Sequence, residues 1–268
     1  MSLHNKYALV TGGSSGMGLE YVRLLAAKGY NVIIVALFQH ETDAVAAEMA
    51  GLHPDLDFLS IGIDLSTVDA PRKVFDAVSE QRPGAVVEVL VNNAGMLHPM
   101  HFRNMDPGKI SSIIMVHNHA TAMLCRLFLP AMLERHRGYI LNISSLAAWF
   151  PFPFLTTYAS TKSFTKVFTR ALRTECQKTG VNVCAVYFGA VDTPLLGLPP
   201  KYSRLARHLG IMIRPEKAAR LALGMMFRGR SGRIPGLVNK IGRLAAPLIR
   251  PWIFGPVERR VTRRWNLK

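Results

Sequence analysis

The chain has 268 residues, 49% of them apolar, enough for one α/β domain with an ample core. No apolar run approaches the ~20 residues of a spanning helix, and Cys125, Cys176 and Cys184 are isolated and odd in number, which argues against a disulfide framework and for a reducing compartment. The net charge of +16 is uneven: residues 196–268 hold 17 Lys and Arg against Glu216 and Glu258, while the first 195 residues hold 16 basic and 15 acidic side chains.

Tyr7-Ala8-Leu9-Val10 reads as a short buried strand. It runs into the turn Thr11-Gly12-Gly13-Ser14-Ser15-Gly16-Met17-Gly18, and the apolar spacing of Leu19, Val22, Leu24 and Leu25 then predicts a helix. Strand, glycine turn and helix is the context of a dinucleotide fingerprint. Gly12 permits the sharp turn. Gly16 and Gly18 permit close approach of backbone to a pyrophosphate and of helix to sheet, and the helix N-terminus offers N–H groups and a positive dipole end. Gly12-Gly13-Ser14-Ser15-Gly16 also satisfies the G-x-S-x-G pattern, in which Ser14 is a hydrolase nucleophile. That reading requires a general-base histidine downstream, and no histidine sits in a recognisable pattern.

Further strand-like runs follow at Asn31–Leu37, Phe58–Ile63, Glu88–Val91, Tyr139–Ile143 and Val181–Val186, with helical stretches between them. The alternation predicts an α/β fold, a single doubly wound Rossmann domain with a parallel sheet and helices on both faces. The second run ends on Ala36, followed by Leu37. An NAD site usually carries an acid there to hold the ribose 2′-hydroxyl. Without one a 2′-phosphate is not repelled, and His40 and Ser14 are candidates to contact it, so the expectation leans toward NADP(H) over NAD(H). Asp64 closes the third run, and Asn92-Asn93-Ala94-Gly95 follows the fourth. Ser145 follows the fifth, thirteen residues before Tyr158. Tyr158 and Lys162 stand one helical turn apart, on one face.

These motifs, in this order, resemble those of the short-chain dehydrogenase/reductase family, from about Lys6 to Thr193. The stretch from Gly138 to Lys178 is most similar to the subgroup of very-long-chain 3-ketoacyl reductases and 17β-hydroxysteroid dehydrogenases. The resemblance implies that Tyr158 is the catalytic acid/base. It implies that Lys162 binds the nicotinamide ribose and lowers the phenol pKa by its charge, and that Ser145 hydrogen-bonds the substrate oxygen. Thr11, Gly12, Ser14, Ser15, Gly16, Met17 and Gly18 would hold the pyrophosphate side, and Asp64 with Leu65 the adenine. Asn92, Ala94 and Gly95 would line the adenosine side, and Gly189, Val191 and Thr193 the nicotinamide carboxamide.

The sequence departs from the family in places. The position of the family's catalytic asparagine falls on His117, with Asn118 next. Either the helix shifts by one residue and presents Asn118, or His117 itself takes the water that the asparagine normally binds. His117 and His119 do not share a helix face, so no metal site is expected. Phe188-Gly189 stands where the family has Pro-Gly.

The implied activity is NAD(P)(H)-dependent interconversion of a ketone and a secondary alcohol, on a 3-oxoacyl, lipid or steroid-like substrate. The alternative, favoured by the departure at His117, is a non-catalytic dinucleotide-binding sensor or scaffold at a membrane surface. Residues 1–195 are expected to form the Rossmann core. Residues 196–268 are expected to supply substrate-cover helices (Leu195–Leu209, Pro215–Phe227) and a basic amphipathic extension of the same domain. In that extension Trp252, Phe254 and the basic side chains suit peripheral contact with anionic lipid. No nucleic-acid module is recognisable, so a nucleic-acid partner is not expected, and a plain solvated basic face is the remaining alternative. The N-terminus enters the first strand within six residues, read as leaving no room for a signal peptide, so a cytoplasmic, membrane-peripheral protein is expected. Helices around Met123–Leu133 and Phe164–Leu172 are candidate faces of a homodimer or homotetramer.

Overall fold

A computed structural model describes residues 5–150, 153–196, 204 and 212–232. Strands β1 (Lys6–Thr11), β2 (Asn31–Ala36), β3 (Phe58–Gly62), β4 (Val86–Asn92), β5 (Gly138–Ser145) and β6 (Val181–Phe188) form one sheet in the order β3-β2-β1-β4-β5-β6. Every pairing in it is parallel. The order reverses between β1 and β4, which opens a crevice beyond the carboxyl ends of those two strands. The helices are α1 (Gly16–Ala26), α2 (Gln39–Leu52), α3 (Ala70–Gln81), α4 (Pro107–Ile114), α5 (Ala120–Glu134), α6 (Thr156–Glu175) and α7 (Pro215–Phe227). A short parallel pair, β7 (Ala190–Val191) with β8 (Met212–Ile213), follows β6. The expected parallel α/β sheet is what the chain forms. The proposed membrane-contact residues Trp252 and Phe254, and most of the basic extension, lie outside the described residues.

The strands are mostly apolar because both faces of the sheet are covered. Along β1, Ala8 and Val10 join a core built with Tyr21, Val22 and Leu25 of α1, Met49 of α2 and Ala218, Ala222 and Met226 of α7. The alternate residues Tyr7 and Leu9 join a second core with Val74 of α3 and Leu124, Phe128 and Met132 of α5. Helix α7, from the C-terminal quarter, is thus part of the main core and packs beside α1.

Two polar devices hold the crevice in shape. At its floor the Thr11 hydroxyl donates to the Val91 carbonyl (3.3 Å) and accepts from the Asn93 and Ala94 N–H groups (3.0 Å each), locking the end of β1 to the end of β4. The Asn93 amide donates to the Thr11 carbonyl at 3.0 Å. On the other side, α6 presents Thr157, Thr161, Thr165 and Thr169 inward, all buried. Asn142 of β5 donates to the Thr169 hydroxyl (2.9 Å) and accepts from Asn92 of β4 (2.8 Å). Ser144 donates to the Lys162 carbonyl at 2.9 Å.

The turn between β1 and α1 leaves no room for a side chain at Gly18. A Cβ at Gly18 would sit 1.7 Å from the Gly12 carbonyl oxygen, and Gly12 itself has φ +66°. The Gly18→Ala variant should lose roughly 3 kcal/mol or more, since the obstacle is backbone and cannot step aside. Its melting temperature should fall by about 6 °C or more. Gly224→Ala, in α7 with nothing within 4 Å of the new Cβ, should be neutral or stabilising. Differential scanning calorimetry on both variants checks the pair, and equal melting temperatures would contradict the packing.

Candidate active site

Above the carboxyl ends of the strands lies a cleft of about 450 Å³, within the range of small-molecule sites. The glycine turn forms one wall: Gly12, Ser14, Ser15, Gly16 and Met17 line it. Ser15, the N-cap of α1, makes no capping bond with its side chain, so the first-turn N–H groups of α1 are left to an occupant of the cleft. Gly16, at φ +54°, faces Thr193 across a gap so narrow that a Cβ would come within 3.3 Å of the threonine methyl. A bare-backbone cradle at a helix N-terminus fits a pyrophosphate. Thr11 and Gly18 do not line the cleft; Thr11 is the buried lock described above and Gly18 is the helix–turn contact.

The end of the cleft expected to take the adenosine is lined by Asp64, Leu65, Ala94 and Gly95. Asp64 accepts from the Ser66 N–H at 2.9 Å. Asn92 is not in the lining. Its amide is buried beneath the cleft, donating to Asn142 at 2.8 Å and to the Cys125 sulfur at 3.3 Å. Its neighbour Asn93 lines the cleft instead. The period of a strand explains the correction: successive side chains at the end of β4 point to opposite sides.

The opposite end holds Ser145, Tyr158 and Lys162, with Gly189, Val191 and Thr193 beyond β6. Ser145 accepts from the Ala147 N–H at 3.1 Å, which leaves its proton for another partner. Burial pushes the Tyr158 phenol above its ordinary value, and a hydrogen bond with Ser145 opposes that rise. Lys162 is 6% exposed, and its ammonium donates to the Ile143 carbonyl at 3.0 Å. Burial lowers it to about 8, and its nitrogen stands 5.6 Å from the centre of the Tyr158 ring. The net shift of the phenol is upward, because removing it from water costs its anion more than the Ser145 hydrogen bond returns.

The two candidates for the asparagine position lie in a single π-helical turn, Met115–His119, between α4 and α5. His117 is 2% exposed. Its Nε2 accepts from the Met96 N–H at 2.9 Å and its Nδ1 lies 2.8 Å from the Thr161 hydroxyl. A backbone N–H can only donate, so Nε2 carries no proton and Nδ1–H donates to Thr161. Thr161 in turn donates to the Tyr158 carbonyl at 2.8 Å. The ring packs edge-on against Tyr158, centroids 5.6 Å apart. Both nitrogens are used within the protein, so the imidazole does not hold a water as expected. Asn118 has a buried side-chain oxygen with no partner among the described residues, and the residue is not part of the cleft lining. His117 instead ties the loop after β4 to the helix that carries the tyrosine. Burial, and then the charge of Lys162, hold its pKa well below 6.5. His119 is turned outward, 2.9 Å from the Val68 carbonyl, and no group of three His, Cys, Asp or Glu among the described residues is placed to hold a metal.

Sequence reasoning missed two features of the lining. Glu41, from the first turn of α2, reaches the glycine turn, where the Ser14 hydroxyl donates to its carboxylate at 2.8 Å. That bond also gives Ser14 a carboxylate partner rather than the histidine a hydrolase nucleophile would need. The second feature is an apolar rim formed by Met96, Leu97, Val116, Pro194 and Leu195.

Residues 6–199 match the family model described as short chain dehydrogenase. The chain is 30% identical over 229 residues to a very-long-chain 3-oxoacyl-CoA reductase of Phaeosphaeria nodorum, covering 84% of this chain and 64% of that protein. It is 33% identical over 243 residues to the enzyme of that name from Bos taurus, covering 88% and 74%. The chain therefore spans slightly less than two thirds of the fungal relative's length. Among solved structures it superposes on a short-chain dehydrogenase from Sphingobium yanoikuyae in complex with NADPH, with TM-score 0.75, 26% identity and coverage of 87% and 88%. It also superposes on a 3-ketoacyl-(acyl-carrier-protein) reductase from Brucella melitensis complexed with NADH, with TM-score 0.74, 27% identity and coverage of 86% and 96%.

The neutral, doubly bonded His117 predicts a pH effect on folding. An unfolded chain binds a proton at this ring near its ordinary value, whereas the folded one does so only at much lower pH. Below about pH 6.5 the folded state therefore holds fewer protons, and this ring's contribution to stability falls by up to ~1.4 kcal/mol per pH unit. His117→Asn cannot titrate and cannot span both partners. It should be less stable than wild type at pH 8 by about 1–3 kcal/mol, and the gap should shrink as pH falls from 6.5 to 5. Thermal melts of both proteins across pH 5–8 test this, and a gap independent of pH would contradict it.

Proposed function

The chain belongs to the short-chain dehydrogenase family, and on that premise we propose that it interconverts a ketone and a secondary alcohol with NAD(P)(H), acting on a hydrophobic, 3-oxoacyl or related lipid substrate. The observation that carries the reading is the convergence of Ser145, Tyr158 and Lys162 on one cleft with the glycine turn. The nicotinamide, when bound, supplies or accepts the hydride. Tyr158, a phenol that burial keeps protonated, gives its proton to the carbonyl oxygen during reduction and takes it back during oxidation. Ser145, whose lone pair is occupied by the Ala147 N–H, directs its own proton toward the oxygen on which charge develops. Lys162, protonated below about pH 8, steadies the phenolate left behind.

The substrate class rests on two supports. The rim of Met96, Leu97, Val116 and Leu195 suits an acyl chain better than a polar ketone. Relatives named as very-long-chain 3-oxoacyl-CoA reductases point the same way. The leaning toward NADP(H) rested on the lack of an acid after β2. The fold brings Glu41 to that edge of the cleft, and the leaning loses its support. The scaffold alternative rested on His117, whose two ring nitrogens are both bonded within the protein. Exposed apolar side chains on α5 (Met123) and α6 (Phe164, Val167) support pairing of two copies through these helices.

With a long-chain 3-oxoacyl thioester, Tyr158→Phe should lower kcat/KM by ~10²–10⁴-fold and Ser145→Ala by ~10²–10³-fold, while dinucleotide binding changes little. Stopped-flow assays on 3-oxoacyl, steroid and small polar ketones provide the comparison. Tight dinucleotide binding with no turnover of any ketone would favour the scaffold.

A further inference from the structure

The edge of the cleft next to the glycine turn has an unusual charge pattern for a site expected to take a phosphorylated ribose. β2 ends at Ala36. Leu37 and Phe38 follow, 52% and 51% exposed, and both line the cleft without carrying charge. α2 starts at once, and Glu41 in its first turn points back to the turn after β1, where one of its oxygens accepts from the Ser14 hydroxyl at 2.8 Å. No other hydrogen bond or ion pair engages that carboxylate among the described residues.

Two neighbouring polar side chains are engaged within the protein. The Gln39 amide nitrogen donates to Asp43 at 2.8 Å and its oxygen accepts from the Gly62 N–H at 2.6 Å. His40 stacks on Phe38, with ring centres 5.6 Å apart, and is not part of the lining. Among the described residues of the lining, the charged groups are Glu41, Asp64 and Lys162. Lys162 belongs to the far end. It bonds to a carbonyl of β5, three strands away from β2 in the sheet order, which is ~14 Å at the usual strand spacing. A 2′-phosphate, with a charge of about −2, would meet the Glu41 carboxylate, with no Lys or Arg of the described lining beside it. A 2′-hydroxyl would instead find an acceptor in the free oxygen of Glu41.

We infer that Glu41, held by Ser14, makes this site selective for the unphosphorylated dinucleotide, NAD(H), over NADP(H). The inference deepens the dinucleotide reading above and rests on it. Ser14 has a double part: it belongs to the glycine turn, and its hydroxyl fixes the carboxylate that reads the ribose. Like charges brought together in a partly desolvated edge cost enough to produce a tenfold preference or more.

The test is equilibrium binding, independent of turnover. The intact chain is titrated with NADH and with NADPH, followed by nicotinamide fluorescence and calorimetry, and the titrations are repeated on Glu41→Gln and on the double variant Leu37→Arg/Glu41→Gln. NADH should bind wild type at least ~10-fold more tightly than NADPH. Glu41→Gln keeps the shape and the bond to Ser14 while removing the charge, so the ratio should fall toward one, mainly by tighter NADPH binding. The double variant should prefer NADPH. Equal or tighter NADPH binding by wild type, or a ratio unmoved in Glu41→Gln, overturns the inference and leaves the dehydrogenase reading intact. Binding of neither dinucleotide overturns that reading and the inference together.

Discussion

Everything at the catalytic end of the cleft depends on how α6 is fastened to the sheet. Tyr158 and Lys162 sit one residue beyond Thr157 and Thr161, on a helix whose inward face is a stripe of four buried threonines. Those hydroxyls would be costly if left unpaired away from water. Thr161, Thr165 and Thr169 donate to carbonyls one turn or less earlier in α6, and Thr169 also accepts from Asn142 of β5. The Ser144 hydroxyl and the Lys162 ammonium cross between β5 and α6 in opposite directions. An apolar seam would tolerate sliding or rotation, because dispersion contacts are not directional. A ladder of hydrogen bonds has one register, and that register points a phenol and an ammonium into the cleft.

His117 extends the same logic to the neighbouring wall. The π-turn displaces the backbone between α4 and α5 just where the ring must reach both the loop after β4 and the start of α6. A residue that departs from the family pattern thereby becomes part of the frame rather than part of the chemistry. Its neutral state follows from the frame: a buried ring beside a buried lysine, with one nitrogen pinned as acceptor, takes a second proton only well below the ordinary imidazole range. Lys162 is subject to the same constraint in milder form, since burial costs its charge much of its usual stability and a single carbonyl offsets only part of that cost.

The glycine turn and the adenosine edge show how a local motif and distant chain segments divide the work. Gly12, Gly16 and Gly18 let the chain pass close to its neighbours by having no side chain, and Thr11 ties the ends of β1 and β4. Glu41 and Ser14 then set the charge of the edge, although 27 residues separate them.

Much of this was legible in the linear chain. Local rules of spacing and steric bulk act within a few residues, so the strand–turn–helix start, the apolar strand runs and the Ser145, Tyr158 and Lys162 spacing identified the parallel sheet and the cleft's main walls. The threonine stripe on α6 went unread, since a hydroxyl stripe in the sequence reads equally well as a wet surface. What depended on side-chain direction or on contacts between remote segments was decided by the tertiary structure alone. Asn92 turned inward and Asn93 outward because a strand end alternates. His117 was claimed by Met96 and Thr161, from a loop and a helix on either side. An acid arrived at the ribose edge from α2 rather than from the end of β2. Burial, and the partners it brings within hydrogen-bonding range, set the charge state and aim of these groups, and neither exists until the sheet has closed on its helices.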